Sequence, residues 1–572
     1  MTKSDFNQFP FTSNSVKQLS SIDSKFHSWP VVYTLFDKDQ IYVGETINAI
    51  SRLNQHLAND ERSRLSSALI IINEKFNKSA SLDLESELIK LFAADEKFVV
   101  LNSNMGISDS DYYDRDSYRE LFDYIFDEFK DRGLFCKSKN DIVNSDMFKF
   151  SPFKSLNLEQ HEGMLGILEI LSTCLQSKLM KSEFVISGGP GTGKTVMAVF
   201  MAKLFSDISN NSIVDEIDSE SSLGKIISPN FKDAANGLEI GLVIPQQGLR
   251  KTIENVFSRT SGLSKEMILT PYQVAESEKK YDILIVEEAH RLNRRANQPS
   301  GVLNKKWPVI NKKLFGADDF SLTQLDWLRE QSHHLILLLD SKQTVISRDI
   351  SEELTRAVIV DAKSEGRFFE LESQMRMDGG QDYLEFVTRI FTEHPTKAPS
   401  NQRYDLRFYE SFTEMRSEII DLNESHGLSR VIAGNAFPWN SKKDEQIHDI
   451  EIEGKCLFWN RVITDWINSP SSIEEIGCIH TVQGYDLNYA GVIIGRDLRY
   501  DKIKERISFD RQNYYDKAGM QNNRMLGIEF SDDDILCYVL NVYRVLLTRG
   551  VKGTFVFVED EELRDYLRKY FP

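Results

Sequence analysis

The chain alternates short apolar runs with polar, helix-period segments. Val31–Phe36 and Gln40–Val43 are two strand-like runs around an Asp-Lys-Asp turn, which predicts a hairpin closed by Gly44. Asn48–Leu57 reads as a helix with Ile50, Leu53 and Leu57 on one face, and Arg52 and His56, four apart, on another. Ser81–Lys90 opens a second amphipathic helix whose core stripe is Leu84, Leu88, Leu91 and Phe92. It is followed by VVLNSN, with Asn102 and Asn104 at its end. Met164, Leu165, Ile167, Leu168 and Leu171 mark a further helix. Phe184-Val185-Ile186, Gly241–Pro245, Tyr281–Val286 and Leu335–Leu339 read as buried strands. Residues 1–28 are polar and are expected to form an irregular arm. Residues 106–150, aromatic and charged with a helix ending at Gly133, are expected to be a connector packed between domains. Residues 206–238, rich in Ser, Asn and Asp, are expected to be a mobile surface insertion.

Composition narrows the class. A length of 572 residues suggests about three to five domains, and 41% hydrophobic with 11% aromatic residues supplies large cores. No apolar run approaches the roughly 18 residues of a membrane span, and MTKSDFNQFPFTSNS lacks a signal-peptide core, so a cytoplasmic protein off the membrane is expected. Five cysteines, Cys136, Cys174, Cys456, Cys478 and Cys537, form no C-x-x-C pair and fit free thiols rather than a zinc site. A formal charge of −18 confines any nucleic-acid contact to local basic surface.

The sharpest chemistry lies between the Phe184–Ile186 strand and the helix from Lys194 to Phe205. Gly188, Gly189, Pro190, Gly191, Thr192, Gly193, Lys194 and Thr195 form an intact G-x-x-x-x-G-K-[ST] phosphate loop in strand–loop–helix context. Glycines let backbone N–H groups face a polyphosphate, and the helix N-terminus adds a favourable dipole. Lys194 is expected to reach the terminal phosphates and Thr195 to offer its hydroxyl to Mg²⁺.

Residues 29–105 resemble a GIY-YIG nuclease domain. Val32-Tyr33 stands at the first motif and Tyr42-Val43-Gly44 at the second. Arg52, His56, Glu85 and Asn102 follow in family order. The first motif lacks its glycine and isoleucine, and Glu45 stands where many members carry lysine. The resemblance implies phosphodiester cleavage with one Mg²⁺ on Glu85, a bidentate phosphate clamp from Arg52, and a proton relay through Tyr33 or Tyr42 with help from His56.

Residues 150–570 resemble a two-lobed superfamily 1 helicase-like NTPase, and in wording such as YRVLLTRG the bacterial family related to the helicase-like part of long Schlafen proteins. The fold expected is thus α/β multidomain: a small α+β nuclease domain at 29–105, then two RecA-like parallel-sheet lobes at 151–345 and 346–572. The resemblance assigns Gln160 to the adenine edge and Glu287 to Mg²⁺, one methylene longer than the usual aspartate. It assigns Glu288 to the attacking water and Gln343 to the γ-phosphate. Gly484 falls in the element that touches nucleotide and nucleic acid, and Arg376 and Arg549 become the two arginines that meet transition-state charge. It implies ATP and Mg²⁺ as cofactors and, through the family's nuclease fusions, phage defence.

Arg291, Arg294, Arg295, Lys305, Lys306, Lys312 and Lys313, interleaved with Trp307, are a candidate phosphate-tracking and base-stacking surface, with a solvated basic loop as the rival. The whole is expected to be an ATP-coupled endonuclease acting on nucleic acid, DNA in preference to RNA. Two rivals stay open: an ATP-occupancy switch that gates cutting or partner assembly without translocation, and a binding module with an inactive nuclease domain. A second copy or a partner protein is left open.

Overall fold

The first 28 residues are not an irregular arm. Among strands β1 (Asp5–Pro10), β2 (Val31–Phe36), β3 (Gln40–Thr46), β4 (Ser67–Ile72) and β5 (Val99–Val100), β1 pairs antiparallel with β4 as the edge of a sheet ordered β1-β4-β2-β3-β5. The helix Ser13–Ile22, capped by the Thr12 side chain, buries Val16 and Leu19 in one core with Phe11, Val31, Tyr33 and Leu35. Its apolar positions are few and sit in a polar background, so the stretch looks irregular until the sheet supplies a surface for them.

A computed structural model of the chain describes residues 4–60, 62–102, 115–177, 181–211, 222–295, 301–340, 349–375, 377–400, 403–462, 465–482, 485–517, 520–522, 527 and 529–572. It divides into two compact units. One comprises Met1–Ser177, Val199–Leu238 and Ile253–Met267; the other comprises Lys178–Ala198, Glu239–Thr252 and Ile268–Pro572.

In the first unit the predicted hairpin forms, with Val31 opposite Thr46 and Tyr33 opposite Gly44. Gly44 does not end β3, which runs on to Thr46. The Tyr33 ring lies across this position, and a Cβ on Gly44 would stand 2.4 Å from the Tyr33 hydroxyl. Asn48 caps the helix Ala49–Leu57 and Asn77 caps Lys78–Asp95, each through its side-chain oxygen. The second of these helices buries Leu84, Leu88, Leu91 and Phe92 as expected. The described part of the connector packs onto that helix. Phe92 stacks on Phe135 at 4.3 Å, and Asp95 accepts the backbone N–H groups of Cys136 and Lys137 at 2.9 and 2.7 Å. The expected insertion at 206–238 also carries order. Helices Ser222–Ile226 and Pro229–Ala235 bury Leu223, Phe231 and Ala235, and Ser228 is a helix cap rather than loop filler.

The other unit holds two parallel sheets. The first contains β6 (Ser182–Gly188), β7 (Ile240–Val243), β8 (Ile268–Leu269), β9 (Tyr281–Val286), β10 (Ser332–Leu339) and β11 (Phe368–Leu371), ordered β11-β6-β10-β9-β7-β8. Its central strands are near-continuous Val, Ile and Leu, as a sheet covered on both faces requires. Because β11 pairs with β6, this lobe extends to Leu371 and the expected boundary at 345 is too early. The second lobe runs through β12 (Asp405–Tyr409), β13 (Ser429–Ala433), β14 (Ile450–Ile452), β15 (Lys455–Leu457), β16 (Gly477–Cys478), β17 (Leu487–Ile494), β18 (Leu498–Asp501), β19 (Arg506–Phe509) and β20 (Gly550–Val558). Its parallel sheet is ordered β12-β20-β17-β13-β16, with β14–β15 and β18–β19 as separate hairpins. The architecture is α/β: a small mixed sheet, then two RecA-like lobes.

Candidate nuclease and nucleotide sites

Strand β2 carries Tyr33 and β3 carries Tyr42; the helix after β3 carries Arg52 and His56, and the Lys78–Asp95 helix carries Glu85. These five side chains converge. The Tyr33 hydroxyl lies 2.7 Å from His56 Nε2, the Tyr42 and His56 rings are 4.9 Å apart, and the Arg52 charge acts on both tyrosines. Burial, with Arg62 and then Arg52 adding to it, lowers His56 to about 3, so its imidazole is neutral. Burial also raises both tyrosines. Glu85 is raised to about 8, by burial first and by the neighbouring Glu45 second, and its Oε1 accepts the Glu45 backbone N–H at 3.2 Å.

Two features of this site, the Lys78 pairing and Arg62, are not marked in the sequence, whereas Asn102 is. Glu45 is ion-paired with Lys78, so a cation does stand beside the position that lacks its lysine. Arg62 lies over the Tyr42 ring at 4.2 Å and reaches His56 Nδ1 at 3.3 Å. Asn102 straps β3 from the side, accepting from Val43 N at 3.0 Å and donating to Val43 O at 2.7 Å. Asn104 lies outside the described residues.

The phosphate loop follows β6. Gly191 and Gly193 both have φ of +80°, the left-handed backbone that favours glycine. Lys194 donates to the carbonyls of Gly188 and Gly189 at 2.7 and 3.0 Å, and the Thr192 hydroxyl donates to Gly189 O at 3.0 Å. The Thr195 hydroxyl donates to Glu287 Oε1 at the end of β9. Glu288 follows with φ 49° and ψ 46°, an unusual conformation for a non-glycine residue. Its carboxylate lies 2.8 Å from His290 Nε2, while His290 Nδ1 accepts the Asp340 N–H at 3.1 Å. With Nδ1 accepting, a neutral His290 carries its proton on Nε2, the ring nitrogen nearer Glu288. Glu287 rises to about 7, through burial and then the adjacent Glu288. For Glu288, burial is outweighed by His290, Lys194 and Arg291, and the carboxyl is held below its usual range.

A family model described as the Schlafen group 3 DNA/RNA helicase domain matches residues 181–560, about two thirds of the chain. The chain belongs to that family. The GIY-YIG catalytic-domain model matches residues 30–98, so this Schlafen-type helicase domain is fused to a GIY-YIG nuclease domain. A curated relative, "Uncharacterized protein YPL245W" of Saccharomyces cerevisiae, is 25% identical over 414 residues, covering 67% of this chain and 83% of that protein. Solved structures with partial likeness include an arterivirus helicase, nonstructural protein 10. It has a TM-score of 0.26 at 10% identity and covers 69% of this chain; the chain spans 63% of that helicase. A Pif1 helicase at forked duplex DNA has a TM-score of 0.24 at 10% identity, with 72% and 96% covered.

Several expected positions of the Schlafen-type domain take other or additional roles in this structure. Gln160 is buried, and its carboxamide oxygen accepts from Asn157 N at 3.1 Å to close a capping box. Arg549 is 3% exposed and donates to Val545 O at 3.1 Å and Tyr485 O at 3.4 Å. Gln343, Arg376 and Gly484 lie outside the described residues. Gln374, not singled out by its motif, donates to Pro190 O of the phosphate loop at 2.7 Å, and Met375 N donates to Gly191 O at 3.0 Å. Further along, Asp378 N donates to Val551 O of the second lobe, so this short segment joins the phosphate loop to the strand beside Arg549.

The expected basic stacking surface does not form. Trp307 is 1% exposed and packs against Trp327 at 4.3 Å, so it is core. Four of the cations are ion-paired: Arg291 with Asp349, Arg295 with Asp318, Lys306 with Glu276 and Lys313 with Glu278. The helix Gly301–Phe315 turns its aromatic inward, an orientation that composition alone does not reveal.

Proposed function

We propose that this chain is a Mg²⁺-dependent endonuclease coupled to an ATP-hydrolysing Schlafen-type domain, acting on DNA in a defence role. The observation that supports it most is the convergence of Tyr33, Tyr42, Arg52, His56 and Glu85 at one end of a small sheet, in a chain that also holds an intact phosphate loop. The donor chemistry of both sites suits Mg²⁺. Glu85 stands beside Glu45, whose Oε2 is buried without a hydrogen-bond partner, and Thr195 stands against Glu287; all are hard oxygen ligands. Bound there, Mg²⁺ would neutralise charge on the reacting phosphate.

The chain's own groups do the rest. Arg52, half-buried and hydrogen-bonded to Gln55 at 3.0 Å, clamps a phosphate oxygen. Tyr33 and Tyr42 hold hydroxyl groups against the attacked phosphodiester. In the nucleotide site, Lys194 exchanges its two loop carbonyls for phosphate oxygens, Glu288 orients water, and Arg549 reaches the nucleotide only when the lobes close.

One observation favours the switch rival. Lys194 is held by its own loop and Gln374 is docked on Pro190, so nucleotide entry must rearrange the segment that leads into the second lobe. Purified protein should cut plasmid, linear or single-stranded DNA with Mg²⁺, and Glu85→Gln should lower the rate by about a hundredfold or more while DNA still binds. Equal cutting by wild type and Glu85→Gln contradicts the proposal, and no cutting of any DNA moves the substrate to RNA or favours the binding-module rival.

A further inference from the structure

His56 is enclosed: it is 1% exposed, and the groups packed on it are Tyr33, Tyr42, Arg52 and Arg62. Its two ring nitrogens have different neighbours. Arg62 Nη1 lies 3.3 Å from Nδ1, and the Tyr33 hydroxyl lies 2.7 Å from Nε2. A guanidinium has five N–H donors and no acceptor. Nδ1 must therefore present its lone pair to Arg62. A neutral imidazole then carries its single proton on Nε2, where it can only be donated to the Tyr33 oxygen. The Tyr33 oxygen thus accepts from His56, whose Nε2 cannot receive the tyrosine's proton.

We infer that Arg62 is a positioning residue of the nuclease site: it fixes His56 in the Nε2–H tautomer and thereby makes Tyr33, rather than His56, the group that exchanges a proton with substrate or solvent. Arg62 is well placed for this. It begins the short helix Arg62–Arg64, is 9% exposed, and lies over the Tyr42 ring at 4.2 Å as well as against His56. Without a donor at Nδ1, the imidazole is free to move its proton there and to accept from Tyr33 at Nε2. The hydrogen bond would survive with its direction reversed, and the tyrosine proton would be withdrawn from the site. This inference rests on the nuclease reading for its consequence, but the tautomer itself does not.

The test is the ¹⁵N solid-state spectrum of the full-length protein labelled in histidine, with His56 assigned by difference against His56→Gln. The expected result is an unprotonated Nδ1 and a protonated Nε2 in the wild type and in Arg62→Lys. In Arg62→Met the proton moves in part or wholly to Nδ1, and cleavage falls at least tenfold with Kd for DNA unchanged. Arg62→Lys keeps a donor and guards against a merely misfolded variant. A wild-type Nδ1–H signal, or an Arg62→Met spectrum identical to wild type, overturns the inference. The expected tautomers in a protein that cuts no nucleic acid would leave the Arg62-set tautomer standing and remove the nuclease reading instead.

Discussion

The hydroxyl of Thr195 donates to the carboxylate of Glu287, across 92 positions of sequence. The contact joins the first turn after the phosphate loop to the end of β9, and on the proposed reading the two groups would share a cation there. Glu287→Gln removes the charge and keeps the shape. It should weaken Mg²⁺-dependent ATP binding at least tenfold, whereas Glu287→Asp should stay within about threefold of wild type. Fluorescent-nucleotide titration with and without Mg²⁺ reads this directly, and equal affinities for wild type and Glu287→Gln would remove Glu287 from the metal site.

Gly191 cannot be replaced cheaply. Its φ is +80°, and a Cβ there would meet the Gln374 carboxamide at 2.1 Å. Gly191→Ala should abolish nucleotide binding without unfolding the chain. Gly189, where a Cβ meets nothing within 4 Å, should tolerate alanine far better. Comparable loss at both positions would mean that neither the positive φ nor the Gln374 contact sets Gly191 apart.

Much of the fold was legible because it rests on local patterns. Strand β9, the phosphate loop and the Leu84–Phe92 stripe carry strong periodicity or motif signals, and each stands where the spacing places it. What the sequence hid depends on long-range partners. β1 looks polar because only an edge pairing with β4 gives it a role, and β11 joins the first lobe because it pairs with β6. Arg62 has no motif of its own; it matters only because the turn after the Ala49–Leu57 helix brings it back over Tyr42 and His56. Trp307 misled for the opposite reason, as basic neighbours suggested a surface that tertiary packing buries.

That burial is testable. Trp307 contacts Trp327, whose indole N–H donates to Asn311 at 2.8 Å. Trp307→Ala should destabilise the chain by about 3–5 kcal/mol, the usual range for removing a core aromatic, seen as a lower urea midpoint. DNA affinity per folded molecule should not change. A selective loss of DNA binding with unchanged stability would restore the stacking role.

A buried carboxyl in the second lobe gives a pH signature. Asp497 Oδ1 accepts from Tyr543 at 2.6 Å, and burial raises the acid from 3.8 to about 7 against the opposing pull of that hydrogen bond. Between those values the folded chain keeps a proton that the unfolded chain has released. Its contribution to stability is therefore complete below about pH 3.8 and is lost as pH rises through about 7. Asp497→Asn keeps an acceptor for Tyr543 and cannot ionise. The variant's Tm minus that of wild type should grow from pH 5 to pH 8, and a constant difference would mean that the two states of Asp497 are equally well accommodated.

Coupling between the nuclease and nucleotide sites is tested by a single assay. Mg²⁺-dependent DNA cleavage should be measured with and without ATP in wild type, Glu85→Gln and Lys194→Ala. The account predicts that ATP changes the wild-type cleavage rate, that Glu85→Gln cuts under neither condition, and that Lys194→Ala cuts at one rate whether ATP is present or absent. An ATP effect of the same size in Lys194→Ala, or a wild-type rate indifferent to ATP, would contradict it.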